Sequence, residues 1–307
     1  MYILSKNLKS ESGSAIIIFA LCLAVLLGSC ALVIDFGRIV YKKTFISNAA
    51  DAAALAGAQE LIFDIDNAEA VARSYLQANG VDPLDAEVEV YDSDTKIRVT
   101  VNSEVNYYFA RILGYNEGNV QATGVAMCAP VIGVYEGVRP FAIEKQTLEF
   151  GLQYTLKEGG GDGYDGNYGA LALSGNGART YVNNIVNGYD GQMRVGDFVE
   201  TEPGNMSGPT AQGVNTLIGR CTHTPPCTHN NYDSNCPRII TVIMVDTLEV
   251  NGRDEVVIAG FARFYLEEVT GSGSESIVTG RFLKTIMSGE LGDIEEDFGL
   301  KGVKLIQ

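Results

Sequence analysis

Cys221, His223, Cys227, His229 and Cys236 crowd into one short stretch that holds both histidines of the chain and three of its six cysteines. Three thiolates and an imidazole are a legitimate zinc set, and a site closed by four protein ligands would be structural. Nothing nearby offers an obvious general base for a catalytic zinc. Disulfides are the competing reading for a domain outside a membrane, where thiols oxidise. Cys128, Cys221, Cys227 and Cys236 then form an even set of four with three ways to pair. Cys227 with His223 or His229 also has the makings of a thiol–imidazole pair, although crowding among three cysteines favours a structural knot. Cys22 and Cys30 lie in an apolar run and read as packing residues.

A second candidate is the glycine-rich segment around Asp162, Asp165 and Asn167. Hard oxygen ligands on a flexible backbone suit calcium, but the spacing misses the EF-hand pattern, and a plain loop is the simpler reading. The run Thr201–Thr210 is rich in glycine and proline but lacks the lysine of a phosphate-binding loop, so it reads as a structured turn. Gly271-Ser272-Gly273-Ser274 is a turn and not a nucleophile elbow, since no strand-to-helix context or partner histidine follows.

The bulk composition narrows the classes. The chain has 307 residues, net charge −16, 46% hydrophobic residues and no tryptophan. It is too apolar for a disordered acidic tail and too acidic for a general nucleic-acid binder. No nucleic-acid partner is expected, and two histidines argue against a His-rich metalloenzyme.

The elements that must position these residues begin with residues 14–34, an uncharged apolar run. About 20 such residues cross the ~30 Å hydrocarbon core as a helix. A cleaved signal peptide is the alternative, with Lys6 and Lys9 as its basic region and Ser29-Cys30-Ala31 as a small cleavable site. The run exceeds the usual apolar core of such peptides, and helix-compatible sequence continues unbroken through Ala58, which favours a retained anchor. Lys6 and Lys9 are balanced by Arg38, Lys42 and Lys43 beyond the span, so the positive-inside rule decides little. The large acidic, cysteine-bearing remainder favours an inside N-terminus and an outside C-terminus. Ala20, Ala24 and Gly28 form a small-residue stripe for helix approach, and Ala49, Ala53 and Gly57 form a second. A helix from 14 to 59 would run roughly 70 Å.

Five segments result: 1–13 inside the cell, 14–34 across the membrane, 35–60 as an exposed helical rod, 61–130 as a small α+β module and 131–307 as a glycine-rich β domain. In the fourth, residues 67–78 are patterned as a helix with Ala68, Val71, Ala72, Tyr75 and Leu76 on one face, stopped by Asn79-Gly80. Strands at 87–91 and 96–105, a short helix at 106–113 ended by Gly114 and a strand at 120–128 complete it. In the fifth, strands are expected at 153–157, 170–173, 192–195, 239–245, 255–267 and 277–287, with one short helix at 178–185. Asn251-Gly252 is a hairpin signal. The fold class is α+β, with the last part a mainly antiparallel barrel or sandwich.

One resemblance is specific. Glu11-Ser12-Gly13, the apolar span, Asp35-Phe36-Gly37-Arg38 and the run Asn48-Ala49-Ala50-Asp51-Ala52-Ala53-Ala54-Leu55-Ala56-Gly57-Ala58 resemble the N-terminal region of TadG-like proteins of the bacterial tight-adherence (Flp) pilus assembly family. Ser47 stands where that family usually has glutamine. The α+β pattern of residues 61–130 is pilin-like, as in TadE- and TadG-like proteins. Pseudopilins of the same context carry a glutamate five residues after the cleaved glycine; counted from Gly13 that position is Ile18, which implies the uncleaved, anchored type. The DxSxS metal site of a von Willebrand A domain has no counterpart, Asp92-Ser93-Asp94 having the wrong residues. The pieces 166–173, 202–210 and 236–238 are similar to tails on TadG-like proteins of gram-positive bacteria.

The resemblance implies a non-enzymatic, single-pass component of a Flp/Tad pilus or its assembly apparatus, in the bacterial cytoplasmic membrane. Its partners would be the membrane, other Tad/Flp proteins met through the N-terminal helix, and further copies of itself. A surface-binding, adhesin-like module is the alternative, and an extracytoplasmic hydrolase a more distant one.

Overall fold

The computed structural model describes residues 12–157, 169–204, 206–250, 252–271, 276–294 and 296–306. Its first element, α1 (Ser12–Glu60), is one unbroken helix of 49 residues, about 73 Å at 1.5 Å per residue. Its apolar half stands free: the side chains of residues 14–30 are all exposed. The alanine-rich half is buried, with Ile46, Ala49, Ala50, Ala53, Ala54 and Ala58 in a core. The exposed rod expected over residues 35–60 is therefore only its first part. From Ile46 onward the helix is the spine of the α+β module, because small alanine side chains let a second helix and a sheet close directly onto it.

That second helix, α2 (Ile65–Ala78), starts at Asp64, whose side chain accepts from the Asn67 amide, the usual way to satisfy a free N-terminal donor. It buries Ala68, Ala72 and Leu76, while Tyr75 stays exposed. The sheet beneath begins with the antiparallel strands β1 (Ala86–Tyr91), β2 (Lys96–Asn106) and β3 (Glu117–Val134). Along β2, Ile97, Val99 and Val101 point at the helices and are fully buried. The alternate residues Arg98 and Thr100 pair on the other face with Glu89 and Thr123, the period-two pattern of a half-covered sheet.

At 18 residues, β3 is longer than the expected strand at 120–128. Pro130 and Gly133, which read as punctuation, sit inside it. Pro130 is opposite Lys301 and its carbonyl accepts from the Gly292 amide, so its missing N–H is tolerated. The second half of β3 leads into the rest of the chain, which adds β4 (Val138–Glu144), β5 (Gln153–Lys157), α3 (Ala178–Asn187), β6 (Met193–Arg194), β7 (Phe198–Glu200) and α4 (Ser207–Gly219). Then follow β8 (Ile239–Val245), β9 (Glu255–Thr270), β10 (Ile277–Leu283), β11 (Thr285–Ile286), β12 (Glu290–Leu291) and β13 (Leu300–Leu305). A second sheet has the order β4-β8-β9-β10-β5, with β7 on β9. Among the described strands, only β4 and β8 run parallel in it.

The second sheet is covered on both faces. One side carries Tyr181 and Ile185 of α3, Val214 and Leu217 of α4, and Phe298. The other packs against Val131 and Val134 of β3 and Leu300 of β13. All seven residues of β8 are accordingly buried, as a doubly covered strand must be. The chain then returns to the first sheet: β13 pairs with β3 from Lys301–Pro130 to Leu305–Ala126. The first sheet thus runs without interruption through residue 130, in a sandwich-like α+β fold.

The turn expected over residues 201–210 is instead the entry to α4. Pro209 lies in the first helical turn, where no amide is required of it. Gly213 lets α3 approach, since a Cβ there would meet Ile185 at 2.6 Å. Asn251, one half of the hairpin signal, and Ser272-Gly273-Ser274 lie outside the described residues.

Candidate functional site

The first candidate is the cysteine–histidine cluster in the connection from α4 to β8. Cys221 follows the end of α4, its amide bonded to the Ile218 carbonyl at 3.2 Å. The Cys227 carbonyl accepts from the Tyr265 hydroxyl at 2.6 Å, which ties the middle of the loop to β9. Cys236 closes a turn onto Asp233, and the Ile239 amide returns to its carbonyl, setting the thiol at the mouth of β8. Arg238 clamps the last turn, donating to the Leu266 and Glu267 carbonyls at 2.8 Å each while lying over the Tyr265 ring.

The ligand atoms of Cys221, His223, Cys227 and Cys236 all lie within 4.8 Å of one another. His223 Nδ1 is 3.6 Å from Cys221 Sγ and 3.4 Å from Cys227 Sγ, and the sulfurs of Cys221 and Cys236 are 3.5 Å apart. A tetrahedral zinc with Zn–S ≈ 2.3 Å and Zn–N ≈ 2.0–2.1 Å has edges of roughly 3.6 Å for S···N and about 3.8 Å for S···S. These three separations are close to those edges, and the donor set of three sulfurs and one nitrogen suits zinc. The Cys221–Cys236 sulfur separation of 3.5 Å is wider than a disulfide's ~2.05 Å, and no disulfide is formed among the described cysteines. Cys227 and Cys236 are buried among Ile239, Tyr265 and Leu283, while Cys221 and His223 are half-buried, so the cluster is covered on one side.

Electrostatics split the thiols. The hydrogen bond from His223 lowers Cys221 to about 6, whereas burial raises Cys236 to about 12. A close group of sulfurs without a cation cannot all be ionised together.

The other residues singled out above lie elsewhere. His229 faces Glu267, Nδ1 to Oε1 at 3.9 Å, and is not among the clustered ligands. Glu267 in turn accepts from Gln153 and Arg281 at 2.7 and 2.6 Å. Cys128 is buried in the core beneath α1, on β3 opposite Val303, and is not among the clustered ligands. Cys22 and Cys30 are exposed on the free half of α1. Asp162, Asp165 and Asn167 lie outside the described residues.

The second candidate is α1 itself. Ala20, Ala24 and Gly28 are exposed, and a Cβ at Gly28 would meet nothing within 4 Å. Ala49, Ala53 and Gly57 are instead used within the chain. A Cβ at Gly57 would meet Ala72 of α2 at 3.2 Å and Ile97 of β2 at 2.5 Å. Between the two stripes sits Asp35, only 7% exposed. Its carboxylate accepts from the backbone amides of Tyr108, Phe109 and Ala110 at 2.7, 3.0 and 2.7 Å. Those amides begin a 3-10 turn, Ala110–Leu113, that joins β2 to β3. Arg38, one turn further on, donates to the Asn106 carbonyl and lies 4.1 Å over the Tyr108 ring. No sequence pattern flagged this joint: its two halves are 75 residues apart, and an aspartate after an apolar run reads simply as the end of a span.

Two family models match the chain. Residues 13–60 match the Flp pilus-assembly TadE/G-like family, and residues 43–126 match the Tad-like Flp pilus-assembly family. The second match covers the buried half of α1, α2 and the sheet as far as Ala126, the part of the structure with its own alanine-lined core. No curated protein and no solved structure matches the chain.

Proposed function

We propose that this chain, which matches the TadE/G-like family over residues 13–60 and the Tad-like family over residues 43–126, is a non-enzymatic, single-pass membrane component of a bacterial Flp/Tad pilus or of the apparatus that assembles it. The observation that carries the reading is the division of α1. One continuous helix has an apolar half whose side chains are all exposed and an alanine half buried in a folded module. An apolar helix surface of that length is stable only in lipid or against other helices. Because the helix does not break, whatever holds its first half holds the folded part rigidly.

The N-terminus lies inside and residues from Asp35 onward lie on the far side, supported by the large acidic, cysteine-bearing bulk of the chain. Ala20 and Ala24, with Gly28 at the end of their stripe, are the surface for a neighbouring helix of the pilus machinery or of another copy. Two measurements test this. In the source bacterium, deleting the gene abolishes surface pili in electron micrographs, and re-expression restores them; normal pili in the deletion strain rule out the role. A C-terminal tag is cut by protease added to intact spheroplasts; a protected tag reverses the topology.

The cysteine–histidine cluster is read as a structural zinc site of Cys221, His223, Cys227 and Cys236, supported by four ligand atoms within 4.8 Å of one another, three of whose separations are close to tetrahedral edges. When bound there, zinc would staple the loop between α4 and β8. With four protein ligands it has no position left for a substrate.

A further inference from the structure

The joint at Asp35 places an apolar turn beside the helix where the helix leaves the membrane. Residues 107–115 read YYFARILGY. Tyr108, Ile112, Leu113 and Tyr115 are 58, 84, 78 and 66% exposed. Ile112 and Leu113 overhang a groove of about 840 Å³, whose opposite wall is formed by Leu27, Gly28, Ala31 and Leu32 of α1. Large apolar side chains at the tip of a hairpin are costly in water, and here they face the exposed apolar surface of the helix across the groove.

We propose that this turn is immersed in the leaflet from which α1 emerges, with a lipid acyl chain filling the groove between turn and helix; the inference rests on the reading that residues 14–34 span the membrane. Depth supports it. If the hydrocarbon boundary is near Ile34, Leu32 and Leu27 lie about 3–10 Å inside it at 1.5 Å per residue, and Ile112 and Leu113 share their level. The backbone supports it independently. A non-helical segment at that depth must satisfy its amides internally. Asp35 takes those of Tyr108, Phe109 and Ala110, and the amides of Ile112, Gly114 and Tyr115 are bonded within the turn. The flanking residues suit the headgroup layer: Tyr107, Tyr108 and Tyr115 are of the type that collects at membrane interfaces. Arg38 and Arg111 supply cations beside them, both bonded to Asn106. A second contact with the bilayer, set off to one side of the helix, fixes the tilt and rotation of the folded part relative to the membrane.

The chain contains no tryptophan, so single-tryptophan variants of the full-length protein report depth directly. Leu113→Trp, Leu23→Trp and Tyr135→Trp are reconstituted in phosphatidylcholine–phosphatidylglycerol vesicles with and without brominated acyl chains. The expected result is blue-shifted emission from Leu113→Trp that loses most of its intensity to bromolipid, as Leu23→Trp does, while Tyr135→Trp at the far end of β3 is unaffected. Ile112→Trp is a second reporter on the same turn. Quenching of Leu23→Trp without quenching of either turn reporter overturns the proposal and leaves the anchor standing. Absence of quenching at Leu23→Trp removes the anchor and the proposal together. Blue-shifted but unquenched turn reporters would put a protein neighbour in the groove in place of lipid, which also overturns it.

Discussion

The carboxylate of Asp35 on α1 accepts the backbone amide of Ala110 at 2.7 Å, across 75 residues of sequence. The same carboxylate takes the two preceding amides, so one side chain stitches the helix to the β2–β3 turn where the apolar span ends. A carboxylate accepting several backbone donors is a strong, directional tie.

Asp35→Ala should leave the fold intact and free the turn. Hydrogen exchange of the Tyr108, Phe109 and Ala110 amides, followed by mass spectrometry in detergent, is expected to speed up markedly. Asp35→Asn should fall in between, since it retains one acceptor oxygen. Unchanged exchange in Asp35→Ala would show that the turn holds itself.

Gly124 on β3 lies against the α1 backbone, where an added Cβ would meet the Ala50 carbonyl carbon at 2.6 Å and the Asp51 nitrogen at 2.7 Å. Backbone cannot swing aside as a side chain can. Gly124→Ala is therefore expected to destabilise the module by about 1–3 kcal/mol, the usual cost of overpacking. Denaturant melts of the purified protein read this directly, and a shift within error would mean that α1 sits further from the sheet.

Protein purified without chelator should contain one zinc per chain by elemental analysis, with the Cys221, Cys227 and Cys236 thiols reacting only after chelation. Cys227→Ser and Cys236→Ser should lose the metal. His229→Ala should keep it, because His229 faces Glu267 and not the cluster. Metal-free protein with these three thiols oxidised would establish the disulfide reading instead.

Metal binding should also release protons. With Cys236 raised to about 12 by burial, its thiol is protonated at pH 7, and a metal ligand must be the thiolate. At least one proton therefore leaves on binding at neutral pH, and affinity weakens as pH falls. Below about pH 6 the Cys221 thiol, lowered to that value by His223, is protonated as well, so the loss steepens. Calorimetry in buffers of different ionisation enthalpy counts the protons; binding without release contradicts the thiolate assignment.

Glu267 acts in the acid range. Burial acts to raise it, but hydrogen bonds from Arg281 and Gln153 outweigh that and hold its carboxyl below the ordinary value. A depressed carboxylate stabilises the fold above its unfolded pKa of about 4.3, and that stability is lost as pH falls through the folded value. Glu267→Gln should cost on the order of 1 kcal/mol at pH 7 and flatten the acid limb of the stability profile. An unchanged acid limb would mean that other carboxylates carry it.

Much of this protein is written locally. The uncharged run before Asp35 determines a helix long enough to cross a membrane. The Asn48–Ala58 run determines a surface so smooth that something must pack on it, and the alternation along residues 96–105 determines a half-covered strand. The clustering of Cys221, His223, Cys227 and Cys236 is equally plain in the order of residues, since four ligands within one loop can meet wherever that loop lies. What packs on the alanines was not legible. Their neighbours, α2 and the sheet with Gly124, lie further along the chain, and a smooth helix face fits a partner's helix as well as its own. Nor did any pattern announce that β13 returns to β3, that Pro130 sits within a strand, or that α4 forms from a glycine- and proline-rich run. Those outcomes depend on which edge remains unpaired and which face remains uncovered once everything else has folded. The joint between Asp35 and the 107–115 turn is the sharpest case. A carboxylate and three amides have no affinity legible in sequence, and only the hairpin's length and the straightness of α1 bring them together where the apolar run ends.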